Sequence, residues 1–248
     1  MQSAPGLTAL EAINIATQKI LSYDRNSEFS DYCRYHSDRV ALDFEWLSQA
    51  FKTRSSALEI GGYPFLLTSA LKDHGYEIQT IDKLTLPASR LADQLGLKVT
   101  GCDIETEKLP FADDSFDDIL LNEVFEHLRI DLNFTMDEIR RVLRPGGRLW
   151  LSTPNLRSLR GIVNFLFKSE AWGVVGDGIY AQYQSLKSPG FMGHVREYTS
   201  KEVADFLRAI GFKIEVIIYR GCYRNPAANF MSSMAPSLKP YFSIVAIK

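Results

Sequence analysis

The sequence predicts an α/β protein built on a doubly wound seven-stranded sheet with helices on both faces, and three observations carry that expectation. From Ser55 onward, short apolar runs alternate with helical stretches, as strands joined by crossover helices do. The connections between these runs are compact, which favours a parallel sheet. Several of the runs end in glycine or an acid, where a doubly wound sheet places its ligands.

Each element follows in order. Leu10, Ile13, Ala16, Ile20 and Leu21 recur at helical spacing between Leu7 and Tyr23. Val40, Phe44, Leu47 and Phe51 repeat the pattern after Ser37-Asp38, a plausible N-cap. Two helices thus form an N-terminal extension over residues 1–54. Between them Tyr23 to His36 is polar and aromatic (Tyr23, Phe29, Tyr32, Tyr35) and reads as a surface loop or a flap over a site. Residues 55–155 form the core, with strands at Ala57–Ile60, Ile78–Ile81, Lys98–Cys102, Phe116–Leu121 and Arg148–Ser152. Helices are expected at Phe65–His74, Ala88–Leu95 and Met136–Leu143. The stretch Asn155–Gly193 is too long for a simple connection, so residues 156–193 are an insertion after the fifth strand. Residues 194–248 complete the same domain: Thr199-Ser-Lys-Glu202 is a capping box, Gly211 stops its helix, and Lys213–Tyr219 and Tyr241–Ile247 are strands.

The composition is that of an ordinary globular chain: 248 residues, 46% hydrophobic, formal net charge −2. That balance excludes collagen, bulk disorder and general nucleic-acid binding. Arg140, Arg141, Arg144 and Arg148 fall in a helix and turn rather than on a basic face. Cys33, Cys102 and Cys222 are odd in number and form no CxxC pair, so no disulfide framework or zinc ribbon is expected, and a reducing cytoplasm is the natural compartment. No apolar run approaches the ~20 residues that span a bilayer, and Met1 to Leu10 lacks a signal-peptide pattern. Neither export by that route nor a membrane span is expected.

The first strand ends in Glu59-Ile-Gly61-Gly62-Tyr63-Pro64 and the second in Asp82, 21 residues after Gly61, where doubly wound folds place an acid on a ribose diol. The third ends in Cys102-Asp103-Ile104, and the fourth runs into Asn122-Glu123-Val-Phe-Glu126-His127. Asp82 and Asp103 also suit helix N-caps in loops.

With "LPFADDSFDDILLNEVFEHL" and "RVLRPGGRLWLSTPN", roughly Ser55 to Asn155 resembles the class I S-adenosylmethionine-dependent methyltransferases, and Gly193 to Lys248 does so more loosely. The resemblance implies a Rossmann-like fold and S-adenosylmethionine as cofactor. By it, Glu59, Gly61 and Gly62 hold the methionine end, Asp82 the ribose hydroxyls, Asp103 and the Ile104 amide the adenine, and Asn122 lies beside the methionine moiety. One departure stands out: the family's later loop glycines are here Tyr63 and Phe65, so either the turn differs or cofactor affinity suffers. A non-catalytic cofactor-binding or scaffolding protein is the reading that this departure leaves open.

Methyl transfer from a sulfonium is an in-line displacement, so the protein aligns the nucleophile and removes its proton. Glu123, Glu126 and His127 stand at i, i+3 and i+4, facing one way if a helix follows the fourth strand. Their mixed oxygen and nitrogen donors suit a divalent metal such as Mg or Mn. The E-x-x-E-H pattern resembles the ubiquinone-biosynthesis O-methyltransferases and the small-RNA 3′-terminal 2′-O-methyltransferases. The same "EVFEHL" also resembles relatives not known to need metal, in which the Glu and His are supporting or structural. His194 in Gly193-His194-Val-Arg196-Glu197-Tyr198-Thr199 would add a ligand, act with His127 as a metal-free base, or hydrogen-bond within its loop near Arg196. O-methylation of a small molecule or of a glycan or glycolipid sugar is the first expectation, and N- or C-methylation of a metabolite the second. Residues 156–168 are apolar with scattered cations and suit a substrate lid, a dimer face, a peripheral membrane contact or a helix packed on the sheet. Trp172, Tyr180 and Tyr183 suit a closing lid, and Phe230, Met231 and Met234 a partner patch or loop packing.

Overall fold

Two amphipathic helices precede the first strand. In the computed structural model, which describes residues 8–23, 28–50, 55–83, 86–176, 178–185, 187 and 193–248, they are α1 (Ala9–Tyr23) and α2 (Glu28–Ala50). Helix α1 buries Ala12, Ile13, Ala16 and Ile20, and α2 buries Cys33, Val40, Phe44 and Leu47. The loop-or-flap reading of Tyr23–His36 is therefore corrected over its described part: residues 28–36 are helical. Polar residues obscured the period, but Cys33 faces inward and the Tyr32 and His36 rings, one turn apart, lie 4.3 Å from each other. Phe51 lies outside the described residues.

The chain divides into two units, the first ending at Gly101 and the second running Cys102–Lys248. The first continues with β1 (Ser56–Ile60), α3 (Leu66–Asp73), β2 (Glu77–Asp82), α4 (Leu86–Leu95) and β3 (Val99–Gly101). Its strands are parallel in the order β3-β2-β1, with Leu58 opposite Gln79 and Ile81 opposite Thr100. Ala57, Leu58, Glu59 and Ile60 are buried in succession, as in a strand covered on both faces.

The second unit holds β4 (Phe116–Asn122), α5 (Leu132–Val142), β5 (Leu143–Pro154), α6 (Leu159–Lys168), α7 (Ile179–Ser185), α8 (Ser200–Ala209), β6 (Lys213–Arg220), α9 (Pro226–Met234) and β7 (Tyr241–Ile247). Strand order is β4-β5-β7-β6. Strands β4 and β5 are parallel, whereas β7 runs antiparallel to both neighbours. Helix α5 starts four residues before the expected Met136, because Asp131 caps it by accepting the Phe134 N–H at 3.0 Å. Strand β5 takes in the expected Pro-Gly-Gly turn: Gly146 donates to the Lys248 carbonyl and Lys248 donates back to Gly147.

Arg141, Arg144 and Arg148 of that helix and turn are held within the fold. Arg141 bridges Glu138, Asp113 and the carbonyls of Leu109 and Phe111, while Arg144 pairs with Asp117 and Arg148 with Asp118. The Thr199–Glu202 capping box forms, and Gly211 follows α8 at φ 92°. The three cysteines are free. Among the described residues no helix is long and apolar enough to cross a membrane.

Candidate active site

In the first unit the glycine loop is built around two acids. Glu59 is buried at the end of β1 and accepts a hydrogen bond from the Thr68 hydroxyl, which lies 3.3 Å from the Thr80 hydroxyl. Burial pushes the Glu59 carboxyl up to about 7, and the charges of Asp43 and Asp82 push the same way. Gly61 sits at φ 72° and donates its N–H to Ile81 at 2.9 Å. A side chain at Gly62 would lie 2.6 Å from the Thr80 methyl, so the close approach of β1 and β2 requires glycine there. Asp82, at the end of β2, accepts the Tyr63 N–H at 3.0 Å. Burial raises its carboxyl above the ordinary value, against the bonds from the Tyr63 and Lys83 amides.

At the second of the two departing positions the backbone keeps a left-handed turn without a glycine. Phe65 takes φ 64°, the left-handed conformation that glycine adopts most cheaply, and its side chain is fully buried. The conformation costs about 1–2 kcal/mol, against roughly 1.5–3 kcal/mol from burying the ring. Packing therefore outweighs strain, with the Tyr63 ring edge-on at 5.5 Å.

In the second unit Asp103 accepts the Glu105 N–H at 3.1 Å, and the neighbouring Ile104 carbonyl accepts the Thr135 hydroxyl at 3.0 Å. Asn122 closes β4: its Oδ1 accepts the Ser152 hydroxyl at 2.8 Å, while its buried Nδ2 has no hydrogen-bond partner. An unpaired buried amide donor is costly, which fits a ligand acceptor at this position. Taken separately, this donor and the glycine cradle of the first unit each fit the cofactor that the resemblance implies.

The helix expected after β4 does not form, and this is a correction with consequences for the metal set. Glu123 adopts φ 53° and donates its N–H to the Ser152 carbonyl, and only a 3-10 turn, Phe125–His127, follows. The left-handed residue breaks the i, i+3, i+4 face. Glu123 reaches instead to Arg220 of β6, its Oε1 2.9 Å from Nη2, and Arg220 is in turn bonded to Ser243. Glu126, His127 and His194 do converge, with one donor atom from each within 4.8 Å of the others.

Hydrogen bonds fix the state of each member. Glu126 is buried and accepts the Thr153 hydroxyl at 2.9 Å; burial, then the Glu123 charge, push its carboxyl up to about 8. His127 Nδ1 lies 2.9 Å from the Gly193 carbonyl, which can only accept, so the proton is on Nδ1 and Nε2 is open. Burial and the charge on His194 press His127 down to about 4. His194 Nδ1 faces Glu197 Oε1 at 3.3 Å and has the same tautomer. Its burial disfavours the cation, but Glu197, Glu126 and Glu123 outweigh that and its pKa is raised. The two rings meet edge to face at 4.9 Å.

Four supporting residues escaped the sequence reading. Glu197, almost wholly buried, accepts backbone N–H groups of Gly173, Val174 and Val175 as well as His194. Ser152 and Thr153 hold Asn122 and Glu126 from consecutive positions of β5. The only available signal was the three-residue spacing of His194 and Glu197. Gln182 of α7 also accepts the His194 N–H at 2.8 Å, which joins the insertion to the cluster.

Residues 58–151 match the methyltransferase domain family. The ubiquinone/menaquinone biosynthesis C-methyltransferase UbiE of Geotalea daltonii is 31% identical over 145 residues, 57% of this chain and 59% of that protein. The match therefore spans less than two thirds of the relative's length. Among solved structures, a SAM-dependent methyltransferase from Archaeoglobus fulgidus superposes with TM-score 0.60 at 15% identity, covering 88% of this chain and 99% of its own. The Burkholderia thailandensis 1,6-didemethyltoxoflavin-N1-methyltransferase, with its substrate and S-adenosylhomocysteine bound, does so with TM-score 0.55 at 17% identity over 100% and 93%. Identities this low speak to the fold alone, a Rossmann-like α/β fold with a mixed seven-stranded sheet.

Proposed function

We propose that the chain is a class I S-adenosylmethionine-dependent methyltransferase, a reading supported by its methyltransferase-domain match and its 31% identical relative, and that it acts as an O-methyltransferase on a hydroxyl of a small molecule or of a glycan or glycolipid sugar. S-adenosylmethionine is the cofactor, and when bound it supplies an electrophilic methyl group on a sulfonium. On the first unit we assign Glu59, Gly61 and Gly62 to the methionine end and Asp82 to the ribose. On the second, Asp103 and Ile104 are assigned to the adenine and Asn122 to the methionine moiety.

One observation carries the hydroxyl reading: two imidazoles locked with Nε2 open beside a buried carboxylate. A hydroxyl acceptor must lose its proton as the methyl arrives, and a neutral imidazole takes it. His194 has the higher affinity for that proton, since Glu197, within 3.3 Å of its Nδ1, stabilises its cation. His127 stays neutral and orients the acceptor. The three donors also make a set for a divalent ion, with imidazole favouring a transition metal such as Mn over Mg. Glu123, engaged with Arg220, stands as a fourth ligand only if that pair opens. C-methylation is a second reading, favoured by the 31% identical C-methyltransferase.

Calorimetric titration with S-adenosylmethionine and S-adenosylhomocysteine, in chelator and then with Mg²⁺ or Mn²⁺, is the first test. Cofactor binding is expected in both buffers. A metal-dependent rise in melting temperature is expected in the wild type and not in Glu126→Ala, whose cofactor affinity stays largely intact. With an acceptor in hand, Glu126→Ala should lower turnover about 10²–10⁴-fold. Undiminished turnover in chelator rejects the metal, undiminished turnover of the variant rejects the cluster, and a methylated carbon in the product establishes the second reading.

A further inference from the structure

Helix α6 is turned inside out. The residues that it buries are Gly161 and Asn164. Gly161 packs so closely that a Cβ there would overlap the Leu156 carbonyl, and Asn164 donates to the Trp172 carbonyl at 2.9 Å. The opposite side, facing outward, carries Val163, Leu166 and Phe167, with Phe165 flanking it. Phe167 is 81% exposed, although an apolar face ordinarily turns toward a core. Helix α9 repeats the anomaly, with Phe230, Met231 and Met234 exposed and Ser232 buried.

The two helices belong to one surface region of the second unit. Asn155, just before α6, donates to the carbonyls of Ser237 and Lys239, just after α9. Tyr223, just before α9, bonds the Leu238 carbonyl and contacts Ser158 and the first backbone groups of α6. Charge says what covers this surface. Residues 156–168 and 221–240 contain Arg157, Arg160, Lys168, Arg224 and Lys239 and no acid, in a chain whose net charge is −2.

We infer that α6 and α9 together form a docking surface for an anionic lipid bilayer, the aromatic and methionine side chains entering the headgroup boundary while the cations meet lipid phosphates. Exposed Phe and Leu beside Arg and Lys is the chemistry of an interfacial helix. A second copy of the chain is disfavoured by the same charges, because a two-fold contact places each patch against itself. The inference does not depend on which acceptor atom is methylated.

Flotation with vesicles is the test, using phosphatidylcholine alone and phosphatidylcholine mixed with phosphatidylglycerol. The wild type should float with the mixed vesicles, not with the neutral ones, and salt should release it. The Phe165→Ser/Leu166→Ser/Phe167→Ser variant should stay unbound. Arg157→Glu/Lys168→Glu, which keeps the apolar face, should weaken binding by about tenfold or more. Retained S-adenosylhomocysteine affinity certifies the fold of both variants. If the triple variant misfolds, the charge variant alone decides. Absence of flotation on anionic vesicles overturns the inference, as does flotation that the charge variant retains in full. Concentration-dependent self-association without vesicle binding, abolished by the triple variant, assigns the surface to a second copy instead.

Discussion

The glycine loop of the first unit and the imidazole cluster of the second contain the same device in different company. Each has a buried glutamate whose carboxyl accepts a threonine hydroxyl, Glu59 with Thr68 and Glu126 with Thr153. In each, burial and a neighbouring acid raise the carboxyl, to about 7 and about 8. Around Glu59 the other groups are acids and hydroxyls, a site that waits for a cation or a hydroxyl donor. Around Glu126 stand two imidazoles whose protons are assigned by a carbonyl and a carboxylate, a set of groups suited to exchanging protons. A raised carboxylate thus says little about function until its neighbours are named.

The two regions also differ in how their backbones are held, and the largest expected effect tests that. Phe65 combines a left-handed backbone with a fully buried ring. Phe65→Gly restores the family's residue and relieves strain of about 1–2 kcal/mol, but it forfeits a core phenyl worth about 3–5 kcal/mol on truncation. Denaturant titration should therefore show a net loss of roughly 1–4 kcal/mol. A stabilised variant would mean that strain, not packing, governs the loop.

Asp82 gives the next effect. It holds the loop through the Tyr63 N–H and is assigned to the ribose. Asp82→Ala should weaken S-adenosylhomocysteine binding about 10- to 100-fold, the range for a hydrogen bond to a charged group. Asp82→Asn keeps an acceptor for Tyr63 and should lose less. Unchanged calorimetric affinity in the alanine variant would remove the ribose assignment.

Elements set by local chemistry were legible in the sequence: the strands of the first unit, the capping box at Thr199 and the stop at Gly211. Spacing failed where tertiary contacts decide. The i, i+3, i+4 arrangement of Glu123, Glu126 and His127 presumed a helix, but Glu123 takes a left-handed turn and reaches Arg220, 97 residues away. Glu197 was invisible as a support because its partners at Gly173, Val174 and Val175 lie across the insertion. The apolar period of α6 was readable, yet periodicity marks a face without saying whether core or solvent lies beyond it.

The smallest effect, the pH dependence of stability, discriminates between the two glutamates. Folded Glu59 and Glu126 keep protons that the unfolded chain releases near the ordinary value of 4.5. Their contribution is thus fully present below about 4.5 and falls as pH rises, to about 7 for Glu59 and about 8 for Glu126. His194, raised above 6.5, adds a fall of the same sign. His127, depressed to about 4, opposes them only up to its unfolded value of 6.5. The melting temperature should therefore decline gently between about pH 4.5 and 6.5, where two glutamates outweigh one histidine, and more steeply from there to about 8. Glu126→Gln, neutral at every pH, should flatten the upper part of that decline, and Glu59→Gln the part below about 7. An unaltered slope in Glu126→Gln would show that its carboxyl is already ionised in the folded protein, and a fixed anion beside His194 would make the cluster an ion pair rather than a proton-exchanging site.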